Sequence, residues 1–185
     1  MFSPGIERAL RTAHAAHEGQ LRKGSESTPY VVHPVHAALM LARLGADEET
    51  IQAAILHDVV EDSPGWTLDR IRTEFSERVM GIVADLTEDK RQSWEVRKRQ
   101  AVVHAADMSP QAALVKAADK LHNLACLADD LERARDRAAV WAQFKGGRER
   151  TLALAHDLIE ALAPRVDARL TTELRAVLGR LRALV

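Results

Sequence analysis

One short segment carries residue types and spacings suited to metal-assisted hydrolysis. It reads Ile55-Leu56-His57-Asp58-Val59-Val60-Glu61-Asp62. His57 and Glu61 are one helical turn apart, as are Asp58 and Asp62, so each pair shares a helix face. An adjacent imidazole and carboxylate can hold one cation from neighbouring faces. Glu61 and Asp62 then lie a turn further on, within reach of a water on that cation. A plainer alternative is a set of solvated acids near a helix end. Carboxylates at a C-terminus oppose the helix dipole, which weighs mildly against that. Spacing alone leaves the two readings about even.

Two further segments supply candidate ligands. His33 lies in Tyr30-Val31-Val32-His33-Pro34, at a junction of loop and helix where a side chain can face a cleft. Asp119 lies in Val115-Lys116-Ala117-Ala118-Asp119-Lys120-Leu121-His122-Asn123. Apolar residues at 114, 115, 118, 121 and 124 set a buried stripe, and Asp119 borders it, with Asn123 one turn on. A carboxylate against a core needs a partner, and a divalent cation is a sufficient one.

Helices must position these groups. The chain has 31 Ala and 22 Leu against 15 Val and 6 Ile, with 9 Gly and 6 Pro. Straight-chain and small residues favour helices and β-branched ones favour strands, so the composition predicts an all-α protein. Caps and periodicity predict about nine or ten helices. The first spans 4–18, with Ser3 as N-cap and Pro4 opening it. A polar stretch, 19–29, interrupts. Helices follow over 34–44, ending at Gly45, and over 47–61, ending before Ser63-Pro64-Gly65. Short ones cover 68–75 and 77–86. The segment 94–106 is expected to be amphipathic and is basic at Arg97, Lys98 and Arg99. Ser109-Pro110 opens a long helix to about 130. Gly146-Gly147 separates a short helix from two last ones, 148–162 and 167–184. Without repeats or long linkers, 1–185 is expected to form one domain.

Composition also excludes classes. The 185 residues hold 26 Lys and Arg against 27 Asp and Glu, a net charge of -1, so no global positive field invites nucleic acid. Seven aromatic residues (3 Trp, 3 Phe, 1 Tyr) are too few for a base-stacking platform. The lone Cys126 suits a reducing compartment. Apolar runs fall far short of a membrane span, and the N-terminus lacks a signal-like segment. A cytoplasmic protein without membrane or nucleic-acid partners is expected; oligomeric state cannot be read.

His33, His57-Asp58 and Asp119 together resemble the H…HD…D signature of HD-domain metal-dependent phosphohydrolases. Four segments narrow the resemblance: Gly19-Gln20-Leu21-Arg22-Lys23, Pro29-Tyr30-Val31-Val32-His33-Pro34, His57-Asp58-Val59-Val60-Glu61-Asp62 and Lys116-Ala117-Ala118-Asp119-Lys120-Leu121-His122-Asn123. In this order they resemble the hydrolase half of RelA/SpoT homologues, above all the stand-alone small alarmone hydrolases. The match runs over about 5–145, with the helices of 148–184 packing on it.

The resemblance implies that His33, His57, Asp58 and Asp119 hold one Mn²⁺, while Glu61 and Asp62 orient and deprotonate the attacking water. It implies that Arg22 and Lys23 meet the base and phosphates of a small nucleotide, Asn123 its ribose region and Arg137 a phosphate. The implied reaction takes the 3′-pyrophosphate from (p)ppGpp, leaving GDP or GTP. Mixed nitrogen and oxygen ligands suit Mn²⁺, and a nearby carboxylate suits general-base work. Alternatives are an HD enzyme acting on (p)ppApp or the 2′-phosphate of NADPH, and a catalytically silent nucleotide-binding regulator. The intact metal set weighs against the last.

The chain also departs from the family. The loop from Lys23 to Tyr30 is about one residue longer, Ala125 stands where arginine is common, Cys126 replaces a small polar residue, and Ser76 follows Phe75 where glycine is common. These changes spare the metal set and bear on which nucleotide fits. No synthetase domain is expected. His17 is expected to make a structural hydrogen bond, His122 to pack beside the site without ligating, and His14, His36, His104 and His156 to be surface or satisfied residues. Trp66, Trp94 and Trp141 read as core or cleft walls. The basic run 97–99 either attracts an anionic substrate or is a solvated face.

Overall fold

Most helices begin at a Ser, Thr or Asp whose side-chain oxygen accepts a main-chain N–H of the first turn, as at Ser3, Asp47, Thr67, Ser76, Ser93, Ser109, Asp136 and Asp167. Each such cap satisfies a donor that the helix itself leaves unpaired. The computed structural model describes residues 2–23 and 27–184, so part of the lengthened loop, 24–26, lies outside the described residues. The described chain is all-α. Its elements are α1 (Pro4–Ala16), α2 (Val32–Arg43), α3 (Glu48–Leu56), α4 (Val59–Asp62), α5 (Leu68–Glu74), α6 (Glu77–Leu86), α7 (Trp94–His104), α8 (Pro110–Arg133), α9 (Arg137–Ala142), α10 (Gly147–Leu162) and α11 (Ala168–Ala183).

The long α8 is the axis of the bundle. It packs against α2, α3, α6, α10 and α11, while α2 and α3 pack on each other and α1 lies on α3. Ala37, Ala38, Ala53, Ala54, Ala117 and Ala118 are fully or nearly fully buried on these helices. Small side chains let helix axes approach closely, which brings α2, α3 and α8 near enough for their polar residues to meet. Larger side chains, among them Leu41, Ile55, Leu56, Leu131, Ile159 and Leu174, fill the rest of the core.

Two elements differ from expectation. The helix expected over 47–61 is two, α3 and α4, broken at His57 and Asp58. The basic segment expected to be amphipathic, α7, buries no residue completely; its inner side consists of half-buried groups such as Trp94, Arg97 and Lys98. Charged stems cover that interface in place of an apolar stripe.

The polar stretch before α2 is an ordered connection at its ends. Arg22 N–H donates to the Thr28 carbonyl (2.9 Å) and Tyr30 N–H to the Gln20 carbonyl (2.9 Å). This antiparallel bridge between Leu21 and Pro29 fixes where Arg22 leaves the backbone.

Candidate active site

The break between α3 and α4 assembles the centre of the site. Asp58 has φ -96° and ψ -7°, in the sparsely populated bridge region where many active-site residues sit. On a regular helix neighbouring side chains diverge by about 100°. The break lets His57 Nε2 approach Asp58 Oδ2 to 3.2 Å. The first turn of α2 adds His33, whose Nε2 lies 3.8 Å from Asp58 Oδ2 and 3.2 Å from Asp119 Oδ1. The middle of α8 adds Asp119, with Oδ1 4.0 Å from His57 Nε2. Two imidazole nitrogens and two carboxylate oxygens thus converge from three helices. Of these, the His33, His57 and Asp58 ligand atoms all lie within 4.8 Å of one another.

The surroundings orient each group. His57 Nδ1 sits 2.7 Å from the Ala54 carbonyl, which only accepts, so that nitrogen carries its proton. His57 Nε2 is buried and turned towards Asp58 Oδ2. His33 Nδ1 faces His122 Nδ1 at 2.9 Å. Burial pushes His122 down to about 3, so a neutral ring backs His33. Tyr30 Oη donates to Asp58 Oδ2 (2.6 Å), and Asn123 Nδ2 donates to Asp119 Oδ1.

This arrangement fits a divalent cation. Two carboxylates brought together in a buried site repel unless something positive lies between them. Burial alone would raise the Asp58 carboxyl, but His57 outweighs it and holds Asp58 well below the ordinary carboxylate range. Burial likewise opposes ionisation of Asp119, and His33 and Lys116 hold it low. Against its burial, His57 is raised to about 9 by Asp58 and Asp119. The local field favours positive charge at this point. Oriented imidazoles backed by a carbonyl and a second histidine are the usual outer support of a metal centre.

Glu61 and Asp62 flank the cluster on α4. Burial raises the Glu61 carboxyl, whose Oε1 accepts the Glu88 N–H at 2.7 Å. Asp62 lines an adjoining cleft and accepts from Lys90, whose ammonium also donates to the Glu61 carbonyl (2.7 Å). Lys90 holds both acidic residues, although nothing in its local sequence distinguishes it.

The cleft has a volume of about 810 Å³, room for a nucleotide. Arg22, Lys23 and Asn123 line it, and Arg22 Nη2 donates to Asn123 Oδ1 (2.8 Å). Arg137 is not among its described lining residues and donates from Nε to the Leu131 carbonyl (3.2 Å). The cleft instead gains Lys98, Lys120 and Lys145. The basic run divides by residue: Arg97 and Lys98 pair with Glu88 (2.8 and 2.7 Å), Lys98 also lines the cleft, and Arg99 is exposed. Trp94 is a cleft wall, Trp141 is buried, and Trp66 packs on the core under Arg70. His17 Nδ1 bonds Gln20 Oε1 (2.9 Å), a structural contact. Sequence reasoning missed Lys90, Lys120 and Glu88. Lys120 follows Asp119 directly, and burial pulls its ammonium down to about 8, but a lysine beside the apolar stripe of an amphipathic helix carries no warning of that.

Known proteins share this chain's pattern. A family model described as the HD domain matches residues 9–151. The chain is 46% identical over 110 residues to the guanosine-3′,5′-bis(diphosphate) 3′-pyrophosphohydrolase MESH1 of Danio rerio, covering 58% of this chain and 61% of that protein. It is thus aligned with about three fifths of that relative's length. It is 36% identical over 141 residues to the Drosophila melanogaster MESH1, covering 72% and 78%. Among solved structures, a metazoan orthologue of SpoT described as hydrolysing ppGpp superposes with a TM-score of 0.84 at 30% identity, over 100% of this chain and 99% of that one. No helix among the described residues is long and apolar enough to cross a membrane.

Proposed function

Because the chain belongs to the HD-domain family, we propose that it is a Mn²⁺-dependent 3′-pyrophosphohydrolase of guanosine alarmones, converting (p)ppGpp to GDP or GTP and pyrophosphate. The convergence of His33, His57, Asp58 and Asp119 beside a cationic, nucleotide-sized cleft carries this reading. Those four residues would hold one divalent ion, which when bound lowers the pKa of water and offsets charge developing on phosphorus.

The chain's own residues do the rest. Glu61 and Asp62 orient the attacking water and take its proton. The water oxygen bonds to the phosphorus nearest the ribose, the bond from that phosphorus to O3′ breaks, and O3′ recovers a proton as pyrophosphate leaves. Glu61 is suited to accept and return that proton, since burial raises its carboxyl towards working pH. Asn123 is placed for the ribose, and Arg22 and Lys23 for base and phosphates, with Lys98, Lys120 and Lys145 adding charge that compensates phosphate. Arg137 is left with the turn between α8 and α9. A lone free cysteine suits a reducing compartment, which supports a cytoplasmic setting for the reaction.

The test is a Mn²⁺-dependent hydrolysis panel with product identification. The expected result is pyrophosphate and GDP from guanosine 3′,5′-bis(diphosphate), abolished by chelator and by Asp58→Ala. Faster turnover of NADPH would assign a different substrate, and no turnover of any nucleotide would remove the enzyme assignment.

A further inference from the structure

The face of α8 that supplies Asp119 continues down the cleft. Asn123, Leu127 and Asp130 follow at helical spacing and all three line it. At 1.5 Å per residue Asp130 lies roughly 16 Å beyond Asp119 along the axis. A nucleotide lying along this face, with its scissile phosphate at Asp119 and its ribose at Asn123, turns its base towards Asp130.

Asp130 differs in charge from nearly all its surroundings. Asp62, at the water-activating end, is the other acid in a cleft whose remaining charged lining residues are Arg22 and four lysines. The adjacent Asp129 is taken by Arg180 at 2.7 Å. The Asp130 carboxylate makes no hydrogen bond or ion pair among the described residues, and burial raises it against the more distant positive charges of Arg133 and Arg22. A bare, partly dehydrated carboxylate repels phosphate, so the phosphates belong elsewhere and this end is left for the base.

We propose that Asp130 reads the edge of the purine and makes the cleft select guanine over adenine. Guanine presents N1–H and N2–H side by side, two donors that one carboxylate accepts. Adenine presents a single N6 donor beside the N1 lone pair, which faces the carboxylate repulsively. Arg22, held by Asn123 at 2.8 Å, presents a planar guanidinium on which the same base can stack. The inference rests on the proposed guanosine-alarmone hydrolase reading and adds the residue that tells guanine from adenine.

The test compares kcat/KM for guanosine and adenosine 3′,5′-bis(diphosphate) in the wild type, Asp130→Asn and Asp130→Ala. The wild type is expected to prefer the guanosine substrate, and both variants to shrink that preference on the order of tenfold, the effect of one two-bond base contact. A wild type without base preference, or variants that slow both substrates equally, would overturn the inference. If the wild type hydrolyses neither substrate, the enzyme reading fails and calorimetric binding of GDP and ADP still decides this one. Tighter binding of GDP than ADP, lost in Asp130→Asn, supports it; equal binding overturns it.

Discussion

The main-chain N–H of Glu88 donates to Glu61 Oε1 at 2.7 Å, so the connection between α6 and α7 aims the carboxylate beside the metal-ligand cluster. Glu88 is in turn held by its own side chain, which binds Arg97 and Lys98 at 2.8 and 2.7 Å. Two elements thereby share one anchor: the loop that orients Glu61 and the basic turn of α7, whose Lys98 also lines the cleft.

Removing the Glu88 carboxylate releases that anchor. Glu88→Gln is expected to lower kcat several-fold through a less ordered Glu61, with Mn²⁺ affinity retained because the four ligands are untouched. Burial opposes ionisation of Glu88, but Lys98 outweighs it and its pKa is lowered in the folded state. The stability it contributes is present above the ordinary value of 4.5 and is lost as pH falls through the lowered one. The Gln variant is therefore expected to melt lower at pH 7, by about 1–3 kcal/mol, and to converge with the wild type in acid. A thermal-melt series against pH checks this, and equal deficits at pH 7 and pH 3 would refute it.

Glu61→Gln is expected to cost on the order of 10²–10⁴ in rate, as for loss of a general base, while Mn²⁺ still raises the melting temperature. The metal-free variant should also be the more stable protein. Burial raises the folded-state pKa of Glu61. Ionised Glu61 therefore costs stability above that raised value and costs nothing below the ordinary 4.5, where folded and unfolded chains are both protonated. The gain in melting temperature should be full at neutral pH and vanish on acidification. A variant that is slower and no more stable at pH 7 would contradict the burial argument.

Metal binding has its own readout. At a hundredfold excess over Kd, Mn²⁺ is expected to stabilise the fold by about 2.7 kcal/mol, or roughly 5–10 °C for a chain of this size. Asp58→Ala should abolish the shift. His122→Ala, which removes the group facing His33 Nδ1 at 2.9 Å, should weaken affinity on the order of 10–100-fold without abolishing it. Unaltered Mn²⁺ affinity in the His122 variant would show that His33 is held by packing alone.

The cleft wall is tested at Gly146. A Cβ there would lie 2.5 Å from Trp94 Cη2, so Gly146→Ala must displace the indole. Because Trp94 lines the cleft, KM should rise several-fold with kcat little changed, accompanied by a shift in tryptophan fluorescence. The overpacking costs about 1–3 kcal/mol. A fall in kcat with KM unaltered would place Trp94 away from the substrate.

The amino-acid order alone determined the helical class, most helix starts and the adjacency of His57 and Asp58. These follow from local rules: caps such as Ser3, Asp47 and Ser109 act within one turn, and apolar spacing acts within a few. Local placement offered His33 and Asp119 as candidate ligands, and the resemblance joined them to His57 and Asp58, which no local rule does. Folding decided what these residues do to one another. The break at Asp58, the Tyr30 bond to Asp58, the Arg22 bond to Asn123, and the grip of Lys90 on Asp62 join positions far apart along the chain. Arg137, which the resemblance matched to a phosphate-binding arginine, donates in the folded chain to the Leu131 carbonyl, a contact that its sequence neighbourhood does not announce. A side chain's type fixes which bonds it can make; only the packing of α2, α3 and α8 settles which partner comes within 3 Å.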